Sequence, residues 1–260
     1  MRSLYGLQMF ILGLLGFSLS HIASARTSLQ LTLYYNDRPP YLEAQSDGRV
    51  IGLTATPAVV ALERAGISFQ WKKASAEQQL NVINRNTENA CLVGWFKRPE
   101  RLLVGKFSVP LYAGKHMVAL SLTHNPRFSD RMRILDVIKD PQLTMLAKAG
   151  YSYGQIIDEQ IRNYTPRQVF ATGENSNMLQ MLLHQRADYL LLSEEEALAL
   201  IARSERPSSE FRMTYFAEGI KEDTRHFWCT RQVSDHLIRK LNTALQKNVS
   251  GRTTNHRHHR

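Results

Sequence analysis

Gly150-Tyr151-Ser152-Tyr153-Gly154 has the G-x-S-x-G spacing of a nucleophile elbow, in which a serine is held at a sharp strand-to-helix turn for attack on a carbonyl. The apolar run Leu143–Ala147 before it reads as a strand, and Gln155–Ile161 after it reads as a helix. The triad order Ser…Asp…His is filled by Ser152, Asp188 and His226 or His236, which makes a serine hydrolase one enzymatic reading. Two features weigh against it. No HGGG-like oxyanion segment precedes the serine, and bulky Tyr151 and Tyr153 flank it. The same strand–turn–helix also serves an anion cradle, because a helix N-terminus presents unpaired N–H groups and a favourable dipole to negative charge. In that reading Gly150 permits the tight turn and Ser152 adds a hydroxyl.

Arg101 follows the strand and loop "GWFKRPE" and opens a helix, where its positive charge opposes the macrodipole. A planar guanidinium fork in such a place suits a carboxylate held by two parallel hydrogen bonds. Lys97 and Arg98 read as solvent-facing. Trp95, a large aromatic just past a strand end, sits where α/β ligands bind, with a flat face for aliphatic or cationic groups. Glu194, in "LLLSEEE", is the one acid that a dehydratase or lyase reading would use. Cys91 and Cys229 form either one disulfide or two buried thiols. The tail histidines His256, His258 and His259 read as an exposed terminus rather than a metal site. No metal or cofactor is expected.

These groups must be positioned by a chain of ordinary globular composition. The net charge of +10 is spread along the sequence, without the clustered basic face that nucleic acid requires. Arg2, an apolar stretch from about Leu7 to Leu19 and Ala23-Ser24-Ala25 form a cleavable export signal, residues 1–25. The mature chain is therefore expected to be exported, to the periplasm. Strand and helix patterns alternate through it, which points to α/β architecture with largely parallel sheets. Thr56-Pro57 reads as an N-cap and first helical residue, Gly66 as the matching stop, and Ser75 with Gln78 as a capping box.

"NDRPPYLEA…GRVIGL", "ACLVGWFKRPERLLVGKFSVPLYAGKHMVAL", the 150–152 turn, "HQRADYLLLSEEEA" and "HFWCTRQVSDHLIRKLNTAL" occur in the order of the amino-acid-type periplasmic solute-binding proteins. The resemblance implies a two-lobed type II binding-protein fold, each lobe a sheet flanked by helices with the ligand cleft between them. Lobe 1 would be residues 26–115, lobe 2 residues 116–212, and residues 213–260 would return to lobe 1, with a hinge near Tyr112–Val118. The resemblance places Arg101 on a ligand carboxylate from lobe 1, with Gly150, Tyr151 and Ser152 on it from lobe 2. It places Tyr41, Trp95 and Phe96 in the cleft. It departs from the family pattern at three positions. Phe96 replaces a small hydroxyl residue, Arg38 stands where an aromatic is usual, and Ser193, beside Glu194, takes the place of the acid that pairs with an ammonium. The implied function is capture of a small carboxylate-bearing solute, such as a polar amino acid, by a monomeric, non-catalytic protein. An ABC-type transporter or a sensor would be its partner.

Overall fold

The computed structural model describes residues 30–171 and 175–255, with side chains described as far as residue 247. The expected leader and the tail histidines lie outside the described residues. The order along the chain is β1 (Leu31–Tyr35), β2 (Glu43–Ala44), β3 (Val50–Ile51), α1 (Ala55–Arg64), β4 (Phe69–Lys73), α2 (Ala76–Arg85), β5 (Ala90–Phe96), α3 (Pro99–Leu102) and β6 (Lys106–Phe107). Then follow β7 (Met117–Leu122), α4 (Ile134–Lys139), β8 (Thr144–Lys148), α5 (Gln155–Tyr164), β9 (Arg167–Ala171), α6 (Asn175–Leu183), β10 (Tyr189–Ser193), α7 (Glu194–Ala202), β11 (Phe211–Tyr215), β12 (Arg225–Cys229) and α8 (Asp235–Asn255).

Two five-stranded sheets divide these elements. Lobe 1 has the order β4-β1-β5-β12-β6 and lobe 2 the order β11-β7-β10-β8-β9. In each sheet one strand opposes the rest: β12 runs antiparallel to β5 and β6, and β7 antiparallel to β10 and β11. Both are the strands that arrive from the other lobe. The strands β1, β5, β8 and β10 end at the cleft, so a chain entering from the cleft must run away from it. The two crossings, Leu111–Met117 and Ile220–Arg225, pair with each other through Tyr112↔Arg225 and His116↔Lys221. The expected return to lobe 1 after residue 212 is corrected here. All of β11, Phe211 to Tyr215, pairs with β7 in lobe 2, and the chain leaves that sheet only afterwards.

The cores follow from side-chain alternation and helix faces. Leu31, Leu33, Cys91, Val93 and Phe227 are buried on one side of the lobe 1 sheet, against Ala58, Ala61 and Leu62 of α1 and Leu241 of α8. In lobe 2, Met145 and Tyr189 pack with Val137 and Ile157 on one face, and Leu120 and Leu190 with Leu179 and Leu182 on the other. Such double-sided cover is what strands with near-continuous apolar runs require. Cys91 and Cys229 are directly paired residues of β5 and β12 and form a disulfide, which resolves the two open readings of that pair.

Local signals act as expected at α2, where Ser75 Oγ accepts from Gln78 N and the Gln78 side chain accepts from Ser75 N. Helix α1 starts two residues earlier than Thr56-Pro57 suggests. Thr54 takes the N-cap position and donates its hydroxyl to the Tyr41 carbonyl, 3.0 Å away, so a tertiary contact sets the start. Gly66 follows the helix with φ +57, a left-handed conformation that glycine adopts without penalty.

Candidate functional site

The loop ends of both sheets meet across a closed cleft. Its inner part holds one chamber of about 40 Å³ between Arg38, Tyr41, Trp95, Phe96, Arg101 and the 150–152 turn. A second, of about 20 Å³, lies beyond Arg38 toward Lys148, Asn175 and Ser193. A wider groove of about 570 Å³ opens outward from Arg101 and the same turn, walled in part by Leu80, Val104, Phe170 and Trp228.

Arg101 projects from the short helix α3 and lies over the Trp95 ring (4.8 Å) and the Trp228 ring (5.4 Å). Its Nη1 donates to the Phe96 carbonyl at 2.9 Å, and it makes no salt bridge among the described residues. Burial lowers its pKa to about 10 and Arg98 acts in the same direction, while the negative charges of Glu100 and Asp158 act against it, so it is charged at neutral pH. Trp95 is fixed by its indole N–H on Gln79 (2.9 Å), and Gln79 in turn is anchored on the Ala74 carbonyl.

Facing it, Gly150 has φ +76, a left-handed conformation that favours glycine, and a Cβ there would require the end of the Leu80 side chain, 2.9 Å away, to shift. Ser152 Oγ donates to Asp158 Oδ2 at 2.5 Å and accepts from Gly154 N, while Tyr153 N donates to Asp158 Oδ1. The serine therefore braces the turn. Tyr151 crosses to lobe 1, where its hydroxyl accepts from Asn36 Nδ2 at 3.0 Å, and its ring lies between Arg38 (4.7 Å) and Lys148 (4.6 Å).

The strongest link across the cleft is Arg38 to Glu196. Nε and Nη2 meet Oε1 and Oε2 at 2.5 and 2.7 Å, a bidentate pair in which the Glu196 side chain is fully buried. Burial opposes the Arg38 charge, but Glu196 more than offsets it and holds the guanidinium well above its ordinary pKa. Asn175 also bonds Glu196, and Lys148 Nζ bonds Asn175 Oδ1 at 3.1 Å. A second pair, Arg225 with Glu222, is buried at the crossing beneath Tyr41 and Phe96. The Tyr41 hydroxyl lies 2.5 Å from Ser193 Oγ and 3.2 Å from Glu222, and burial raises its pKa. Arg98 completes the set. Against the expectation that it faces solvent, it is buried and joins Asp158 of lobe 2 to Asp223 of the crossing, each at 3.0 Å.

In overall fold the chain is similar to a solved structure of an ancestral arginine-binding protein bound to arginine, at 14% identity and TM-score 0.67, over 85% of this chain and 92% of that one. The chain has the two-lobed type II binding-protein fold. Holo ArgBP from T. maritima is similar at 16% identity and TM-score 0.64, over 85% of this chain and 90% of that one. An amino acid ABC transporter substrate-binding protein, AbpA from Streptococcus pneumoniae bound to L-arginine, gives the same four values. No protein-family model matches the chain, and no curated relative matches its sequence.

Within the binding-protein fold, the residues singled out from sequence divide into two groups. Arg38, Tyr41, Trp95, Phe96, Arg101, Gly150, Tyr151 and Ser152 line one chamber together. Glu194 does not join them. It sits at the first residue of α7 and turns toward the crossing, where it meets Lys115 (3.3 Å) and His116 (3.8 Å). Ser193 reaches the inner chamber but is committed as the N-cap of α7, accepting from Glu196 N, and as the partner of Tyr41. The acid that enters the cleft is Glu196, which sequence reasoning missed. Its signal was its place three residues after a serine cap.

The serine-hydrolase triad is not assembled. Asp188 bonds Thr144 N and Asn125, and the His226 ring pairs with Thr224 and the Ser108 carbonyl. His236 belongs to α8 of lobe 1. None of these groups bonds Ser152, whose hydroxyl is held by Asp158.

Proposed function

We propose that this chain is an exported, periplasmic binding protein that captures a small carboxylate-bearing solute by hinge closure and presents it to an ABC-type transporter or a sensor. It does so as a monomer and without chemistry. The observation that carries this reading is Arg101, a half-buried guanidinium without a salt bridge among the described residues, opposite the Gly150–Ser152 turn across the chamber. A desolvated cation left in this state favours an entering carboxylate. Paired crossings of a few residues suit a hinge. The bound amino acids of the similar structures add support for solute capture.

The test is a thermal-shift screen of the mature protein against amino acids and other small carboxylates, followed by titration of each hit. A ligand at about 100 times its Kd adds about 2.7 kcal/mol of stability. Arg101→Ala should weaken binding of a hit by about 3–5 kcal/mol, the cost of leaving a buried charge unpaired. Unchanged affinity would remove Arg101 from the site and sink the reading.

A further inference from the structure

Charge in the two inner chambers is unbalanced in a way that bears on what can enter. Four cations line them: Arg38, Arg101, Arg225 and Lys148. Glu222 borders the second chamber and is taken by Arg225, and Glu196, behind the lining, is taken by Arg38 and Asn175. Lys148 has only the Asn175 amide oxygen and the face of Tyr151. Outward, in the groove, Asp158 is held by Arg98, the Ser152 hydroxyl and the Tyr153 amide, and Glu100 borders the groove without a salt bridge among the described residues. In the inner chambers an entering anion therefore meets Arg101 and Lys148, which make no salt bridge among the described residues, while an entering ammonium finds no carboxylate there that is not already paired and at least one desolvated guanidinium nearby. Buried like charges without compensation disfavour it strongly.

Arg38 is the residue that creates this condition. It borders both chambers and pairs across the cleft with Glu196 of lobe 2. We infer that the site takes an organic carboxylate lacking an ammonium group, and that Arg38 is the residue that excludes amino acids by occupying Glu196. This deepens the proposed solute-binding role and rests on it. The groove outward of Arg101, whose walls combine Leu80, Val104, Phe170 and Trp228 with charged Glu100 and Arg162, gives the rest of the solute a place to lie once its carboxylate reaches Arg101.

Matched pairs that differ only by the ammonium test the inference: glutarate against glutamate, hexanoate against norleucine, and 3-phenylpropanoate against phenylalanine. Each is titrated calorimetrically into the mature protein, Arg101→Ala, Arg38→Ala and the double variant Arg38→Ala/Glu196→Gln. The expected result is at least tenfold tighter binding of the deaminated member in one or more pairs, lost in Arg101→Ala. Arg38→Ala should then gain at least tenfold for the amino acid, and the double variant, which has no exposed acid, should not. Preference for the amino acid in the unmodified protein, still dependent on Arg101, would overturn the inference and leave solute binding standing. An amino-acid gain in the double variant equal to that in Arg38→Ala would overturn the role given to Glu196. No binding by any member to any form would remove both the carboxylate reading and this inference.

Discussion

The two faces of the cleft carry opposite chemistry. Lobe 1 presents arginines, with Arg38, Arg98 and Arg101 projecting from loops and a short helix beyond its strand ends. Lobe 2 answers with Glu196 and Asp158, each set on a helix and each paired with one of those arginines. Two of the three cations thus find partners by closure itself, and the third does not. The protein's own side chains thus neutralise one another across the cleft, and Arg101 is left without a salt bridge among the described residues. The lobes differ internally as well. Lobe 1 is stapled through paired strands by Cys91–Cys229, while lobe 2 is held by packing, hydrogen bonds and ion pairs such as Arg127–Asp140, without a cross-link among the described residues.

The largest expected effect sharpens that second contrast. Cys91→Ser/Cys229→Ser should lower the stability of lobe 1 by about 3–5 kcal/mol, because the bond spans 138 residues and restricts the unfolded chain. Amide hydrogen exchange should show faster opening of β1, β5 and β12 with little change in β8 and β10. Equal loss of protection in both lobes would show that they unfold as one unit and break the comparison.

Smaller is the effect of separating the faces. Arg98→Ala removes a bridge whose two acids are partly hydrated, with Asp223 36% exposed, so about 1–3 kcal/mol of closure energy is expected to go. The radius of gyration from solution scattering should rise as the open form becomes populated. An unchanged radius, with unchanged urea stability, would mean that Arg38–Glu196 and the Tyr151–Asn36 contact close the cleft unaided.

The smallest effect concerns a histidine on the cationic face. Burial lowers the His226 pKa below its ordinary 6.5, and the positive charge of Lys97 acts in the same direction. Below that pH the unfolded chain binds more protons than the folded one, so stability is complete above about 6.5 and falls as the pH drops toward the folded value. One such group gives a slope of at most about 1.4 kcal/mol per pH unit. Urea midpoints between pH 7.5 and 5 should show it, and His226→Gln should flatten that part of the profile. A profile that His226→Gln leaves unchanged would assign the slope to other groups.

Much of this molecule is local enough to be read from the sequence alone. The α/β alternation, the capping box at Ser75–Gln78, the glycine turn at 150 and the strand before it depend on neighbours within a few residues. So does the placing of Arg101 just beyond a strand end, which brings it to the cleft of any α/β lobe. What tertiary structure alone decided is the partner of each charge. Glu194, Glu195 and Glu196 are adjacent in sequence, yet successive side chains of a helix diverge by about 100°. Packing of α7 against the sheet turns Glu196 into the cleft and leaves Glu194 at the crossing. Arg38 meets Glu196 across 158 positions and Arg98 meets Asp158 across 60, and no local pattern encodes either meeting. Sequence therefore determined which elements form and which chemical groups stand at their ends. Only closure of one lobe on the other decided which of those charges neutralise each other, because a charge is satisfied by whatever lies a few ångströms away in space, however far along the chain it is.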